Sequence, residues 1–330
     1  MNSISRSFFL GLLTVFIVTA LASGNASADG LAALERGDYA IAHEQLEAAL
    51  ATNPDNIELR IALGRTLMAQ GNARAAATEF EQATKTAPDS ADAHYWYGAA
   101  HGTLAGNASL FKAGPLAKKA RRGFATALQL DPKHTEAMKG MITYYLNAPK
   151  LFGGDKGKAM ELVERLTEID PLEGRLTLID YYAGIDEDDR AMALAQQTAK
   201  EHPNDPRPHL QLGFMAQGDE DFENAMIHFK HGAAAAAVDS DTRVARQGAL
   251  YQVGRTAVFG EFEIDAGIDA LSEYVELEIM AGLPSKPWAM YRLGLLYQLK
   301  DEADRAESLF RQALAATGDN DLKRQIRQRL

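Results

Sequence analysis

The sequence contains no cysteine, which excludes disulfides, thiolate metal sites, iron–sulfur clusters, thiol nucleophiles and a lipid-modified N-terminal cysteine. Stability must therefore come from packing. Cations are in deficit: 34 Lys and Arg stand against 45 Asp and Glu, a net charge of −11. Such a chain repels phosphate backbones and anionic membrane surfaces except at a local basic patch, so nucleic acid is not an expected partner. Beyond the apolar run that ends at Ala22, no stretch comes close to the roughly 20 apolar residues that a membrane-spanning helix needs. What is present is 46% hydrophobic and 24% charged residues, a balance that supports a large buried core and is too apolar for a disordered chain.

The N-terminus reads as an export signal. Arg6 is followed by Phe8 to Ala22, an unbroken run of apolar, Gly and Thr character. That run has the length of a signal-peptide core, about 7–15 residues, and is short for a membrane span. Small-x-small cleavage patterns stand at Ala20-Leu21-Ala22 and Ala26-Ser27-Ala28. Cleavage after Ala28, removing the segment 1–28, is expected because Asp29-Gly30 then opens an acidic chain. The expected location is periplasmic or secreted, with an uncleaved membrane anchor as the alternative.

A period runs through the rest of the chain. Ala42, Leu46, Ala49 and Pro54 are spaced 4-3-5, and the same spacing recurs in Ala76, Phe80, Ala83, Pro88, then in Ala120, Phe124, Ala127, Pro132. It returns in Ala159, Val163, Leu166, Pro171 and in Ala191, Ala195, Thr198, Pro203. The intervals from Pro54 to Pro88 and from Pro171 to Pro203 set a unit of about 34 residues, that of a helical-hairpin repeat. The longer intervals between them, Pro88 to Pro132 and Pro132 to Pro171, mark insertions in the third and fourth copies. A glycine precedes the second stripe at a constant offset: Gly64, Gly213, Gly254 and Gly294 stand before Ala76, Ala225, Ala266 and Ala306 by one and the same interval. Glycine inside a helix costs about 1 kcal/mol relative to alanine, and close helix crossing is the reason to keep it.

This Leu-Gly, Ala, Phe, Pro pattern resembles the tetratricopeptide repeat (TPR). Its fullest copy is Ile57 to Ser90, and the last copy carries Trp288, Leu293, Gly294, Tyr297, Ala306, Phe310 and Ala313. The resemblance implies an all-α solenoid of about eight helical hairpins in a right-handed superhelix, with units 29–56, 57–90, 91–134, 135–171, 172–205, 206–241, 242–286 and 287–318. Leu322, Ile326 and Leu330 recur every four residues among cations, so 319–330 is expected to be a one-sided capping helix of the kind a repeat stack needs.

Motifs for chemistry fail on inspection. His43-Glu44-Gln45-Leu46-Glu47 has Glu where a zinc-protease helix needs its second His. Gly153 to Lys158 lacks the leading Gly and trailing Ser or Thr of a phosphate loop, and Asp155 reads as a helix N-cap. His228 and His231 are spaced i, i+3 without a third ligand at helical spacing. No enzyme activity, cofactor or metal is expected.

Within a TPR array the first helix of each hairpin lines the concave wall. The residues expected there include Arg65, Tyr95, Lys139, Thr143, Phe214, Tyr251, Arg255 and Tyr291, with Ile61, Met68, Ala99, Gly102, Leu146, Leu210, Gln217, Val258, Leu295 and Gln298 beside them. A secondary basic patch comprises Lys112, Lys118, Lys119, Arg121 and Arg122 in the third unit's insertion, where the bland alternative is solvated cations paired with nearby carboxylates. The fourth unit's insertion, Asn147 to Gly154, follows Tyr144-Tyr145-Leu146 and looks like a loop found in secreted bacterial TPR proteins. The expected function is a non-enzymatic periplasmic scaffold that holds a protein or peptide segment, with envelope carbohydrate or peptidoglycan binding as the alternative.

Overall fold

The computed structural model describes residues 26–330, without the side chains at 110 and 111. The apolar run 8–22 and the first cleavage pattern lie outside these residues. The second pattern lies inside: α1 (26–36) is helical across Ala28.

Helices follow one another to the end of the chain: α2 (Tyr39–Thr52), α3 (Ile57–Ala69), α4 (Ala73–Thr86), α5 (Ala91–Gly106), α6 (Leu110–Leu130) and α7 (Thr135–Asn147). A 3-10 turn (Lys150–Phe152) leads to α8 (Lys156–Ile169), then α9 (Pro171–Ala183), α10 (Asp188–Glu201), α11 (Pro206–Gly218) and α12 (Phe222–Ala234). The chain finishes with α13 (Ser240–Gly260), α14 (Ile264–Glu276), α15 (Lys286–Leu299), α16 (Ala303–Ala316) and α17 (Asn320–Arg327). The described residues contain no strand, and none of their helices is long and apolar enough to cross a membrane. The fold is an all-α solenoid. It divides into two compact units, the first ending at Leu162 and the second comprising Val163–Leu330.

Several helices start or stop for a local reason. Asn56, Asn72 and Ser90 accept hydrogen bonds from the backbone N–H groups of Leu59, Ala75 and Ala93, which satisfies donors that the first turn leaves orphaned. Gly71 turns the chain between α3 and α4 with φ +77°, a conformation that side chains with a Cβ resist. The repeated stripe of small, large and small residues is buried in all five 4-3-5 copies.

The glycines act by close approach. A Cβ on Gly64 would lie 2.4 Å from the Phe80 ring, one on Gly213 2.3 Å from Phe229, and one on Gly294 2.5 Å from Phe310. In these three hairpins the second helix thus drives an aromatic ring against the bare backbone of the first. Gly64→Leu is expected to destabilise the protein by about 1–3 kcal/mol through overpacking. An unchanged thermal melt would show that the Gly64–Phe80 crossing is not a close one.

The seventh repeat departs from the expected register. If Gly254 followed the offset that joins Gly64 to Phe80, its partner would be Ala270; it meets Leu271, the next residue along, instead. Ala266 is accordingly only half-buried, and Gly267, Leu271 and Tyr274 form the packed stripe. The extra residue is absorbed between α13 and α14, where Glu261 and Glu263 both take left-handed conformations with φ 53° and 47°. The connection after α14 is pinned by Gln247, whose side chain donates to the Glu278 carbonyl at 2.9 Å and accepts from Met280 N at 3.0 Å.

The two insertions take different forms. In the third repeat they lengthen α5 to 16 residues and α6 to 21, with Pro115 inside α6. In the fourth they build a fixed loop: Tyr144 Oη donates to the Phe152 carbonyl, and Asp155 N donates to the Tyr145 carbonyl at 3.0 Å. At Gly154 a Cβ would fall 1.7 Å from the Ala148 carbonyl oxygen, so no other residue fits this loop.

At the C-terminus, Leu322 and Ile326 are fully buried on Ala306, Phe310 and Ala313. Leu330 does not join them; it is exposed, because α17 ends at Arg327.

Candidate interaction surfaces

In the first unit, α1, α3 and α5 enclose a cavity of about 580 Å³ lined by Leu31, Glu35, Ile61, Arg65, Asp92 and Trp96, among others. Arg65 spans it: its guanidinium lies 5.5 Å from the Trp96 ring centroid and donates to Glu35 Oε1 at 3.2 Å. A cation over a half-exposed indole is a ready contact for an incoming chain.

The same stripe of α5 continues into a second cavity. Ala99, Gly102, Thr103 and Gly106 line about 550 Å³ together with Ala113, Gly114, Ala117 and Ala120 of α6 and Thr143 and Tyr144 of α7. Almost every wall residue is small or apolar, because the lengthened α5 and α6 place Gly and Ala where longer side chains would fill the space. Phe124 forms part of the floor. Beside it lies a cavity of about 1160 Å³ bordered by Lys118, Arg121, Leu151 and Phe152. Leu151 is 88% exposed, an unusual position for a leucine held at the tip of a fixed loop.

Tyr95 and Lys139 do not face this cavity. Tyr95 packs between Trp96, Phe124 and His134, with ring centroids at 4.9, 6.1 and 5.1 Å. Burial, then the neighbouring Glu136 carboxylate, pushes its hydroxyl well above the ordinary phenol range. Lys139 is held by Glu136 at 2.6 Å. The five cations of α6 are all exposed, and among the described residues none of them forms an ion pair. They do not make one patch, however: Lys118 and Arg121 border the cavity at Leu151, whereas Lys119 acts on Glu81 and His101, and Arg122 on Tyr97.

In the second unit two expected wall residues prove to be core. Tyr251 is 4% exposed and Tyr291 6% exposed. Tyr251 packs on Tyr274 and accepts from Arg292 Nε at 2.7 Å; Tyr291 packs between Trp288 and Phe310. Both precede the crossing glycine by three residues, which turns them with it toward the second helix. Phe214, 46% exposed, does offer a ring, edge-on to Phe229. Arg255 is half-buried, donates to Gln217 Oε1 and lies 5.1 Å from the Phe259 centroid. Burial, then the nearby Arg292, lowers its pKa from the usual guanidinium value.

Two segments match a family model, in both cases described as tetratricopeptide repeat: residues 33–101 and 289–320. The chain carries tetratricopeptide repeats. No curated protein matches it. Among solved structures, yeast Tom70 is similar with a TM-score of 0.63 and 13% identity over 99% of this chain and 74% of that one. A thermophilic TPR protein from Thermus thermophilus gives 0.52 and 19% identity over 59% of this chain and 99% of that one. A TPR protein from Parabacteroides merdae gives 0.50 and 16% identity over 84% and 99%. At these identities the likeness is one of fold alone.

Three residues outside the expected wall, Trp96, Phe259 and Arg292, follow from the TPR frame. Trp96 and Arg292 stand two before their crossing glycines, Gly98 and Gly294, while Arg65, Ala99, Phe214 and Arg255 stand one after theirs. Arg65 of one repeat reaches Trp96 of the next. Phe259 lies 54% exposed between Arg255 and Arg292, 5.1 and 5.5 Å from their guanidinium carbons. The expected wall residues Val258 and Tyr291 stand one residue before Phe259 and Arg292.

Proposed function

We propose that the chain is an exported TPR scaffold that holds a protein segment along the first-helix face of its N-terminal unit. The observation that carries this reading is the stripe of α5, which borders a cation–indole pair at Trp96 and then an apolar cavity from Ala99 to Gly106. An extended or helical partner segment with one apolar anchor and a carboxylate near Arg65 suits both. Aromatic and Arg positions of this kind dominate binding energy at protein interfaces. Export is supported by the apolar run Phe8 to Ala22 behind Arg6 and by the two small-x-small patterns at its end and after it.

Two substitutions test the reading without disturbing the fold. Arg65→Glu reverses a half-exposed cation whose single surface ion pair contributes little to stability. Gly102→Leu fills the apolar cavity, since a Cβ there meets only Ala120 at 3.9 Å. Each is expected to weaken capture of the native envelope partner by about tenfold, the equivalent of about 1.4 kcal/mol, with melting temperatures nearly unchanged. Lys119→Glu with Arg122→Glu serves as the control. Capture that survives both face variants and fails in the control would assign binding to the outer side of α6. Retention of purified peptidoglycan in place of any protein would favour the glycan reading. Export is tested by sequencing the N-terminus of the mature protein, expected at Asp29.

A further inference from the structure

In the sixth repeat, the fold completes a cluster that sequence spacing leaves at two residues. His209 lies near the start of α11, and His228 and His231 share one side of the last two turns of α12. One ligand-competent atom from each of the three lies within 4.8 Å of the others. The ring of His209 is 5.2 Å from that of His231 and 6.1 Å from that of His228. Most tellingly, Nδ1 of His209 and Nδ1 of His228 are both buried with no hydrogen-bond partner. Buried imidazole nitrogens are normally satisfied, and two left open beside a third ring call for a common partner.

We propose that His209, His228 and His231 form a binding site for a divalent transition metal ion of the zinc class, with a fourth coordination position left open. Imidazole nitrogen is a preferred donor for zinc, copper and nickel, whereas calcium and magnesium demand oxygen. Tetrahedral zinc at about 2.0–2.1 Å from each nitrogen places the donors roughly 3.3 Å apart. Small side-chain rotations, above all of exposed His231, close the distance from 4.8 Å. Burial lowers the pKa of both His209 and His228 from the ordinary histidine range, and the charge of His231 adds to it. The carbonyl end of α12 favours a cation at His231.

The site belongs to the second unit and stands independently of the partner-binding face proposed for the first. Its test uses the full chain free of any affinity tag, titrated calorimetrically with Zn²⁺ and spectroscopically with Co²⁺. One equivalent should bind, with the intense absorption of four-coordinate cobalt that Zn²⁺ then abolishes. His209→Ala and His231→Ala should each weaken binding by about 100-fold or more, above the loss typical of changes to groups that only orient a ligand. The pair His43→Ala and His94→Ala should leave it unchanged. His231 is exposed, so its variant keeps the fold and separates metal loss from unfolding. Zn²⁺ should also raise the melting temperature of the unaltered protein and leave that of His231→Ala unmoved. Absence of saturable binding, a six-coordinate cobalt spectrum, or equal loss in the His43 and His94 control would overturn the assignment.

Discussion

Phe124→Ala is expected to lower stability by about 3–5 kcal/mol, the range for truncating a buried aromatic ring. The expected size follows from its packing. A Cβ on Gly98 of α5 would lie 2.8 Å from the Phe124 ring, and one on Gly140 of α7 2.7 Å from it. One side chain therefore fills the crossings of two successive repeats, and Tyr95 packs at its flank. Because the ring also forms part of the floor of the apolar cavity, its loss enlarges a void that the small residues around it cannot fill. Urea denaturation monitored by circular dichroism reads the change. A loss below about 1 kcal/mol would mean that α5 and α7 collapse onto the vacancy, and that the close crossing is not rigid.

Removal of the segment 319–330 is expected to make the protein associate more strongly with rising concentration. Leu322 and Ile326 are fully buried on Ala306, Phe310 and Ala313, and each contributes about 1.5–3 kcal/mol by burial. Asp319 caps α17 and accepts from Trp288 Nε1 at 3.1 Å, so the truncation also frees an indole. A repeat stack ends in apolar surface wherever its last unit lacks a neighbour, which is why terminal caps carry a polar outer side. Sedimentation velocity against concentration measures the association, and Trp fluorescence reports the exposure of Trp288. A truncated chain that stays monomeric at high concentration would argue that α16 buries its own stripe.

The parts of this protein that were legible in its sequence are those decided within one hairpin. The Ala-x3-Phe-x2-Ala stripe buries because residues three and four apart share a helix face. The glycine at a fixed offset before Phe80, Phe229 and Phe310 marks where that face meets its neighbour. Pro171 and Pro206 open helices for lack of an N–H and need no tertiary context, whereas Pro115 is carried inside α6. The Asp155 cap and the paired glycines of the fourth repeat were readable for the same reason.

Other features depend on which repeat lies next to which. Tyr251 and Tyr291 carry the same side chain as Tyr144, yet they are core residues because a three-residue offset from Gly254 and Gly294 turns them inward. The slip at Leu271 could not be read from spacing, since two glutamates rather than glycines adopt the left-handed turn that permits it. His209 joins His228 and His231 only when α11 folds back on α12. Sequence alone determined the repeat, its helices and the terminal cap, because each follows from contacts within a few turns of chain. The tertiary structure alone decided which aromatics are exposed, where the cavities open and which imidazoles converge, because a rotation of one residue, about 100° around a helix, sends a side chain to a different neighbour.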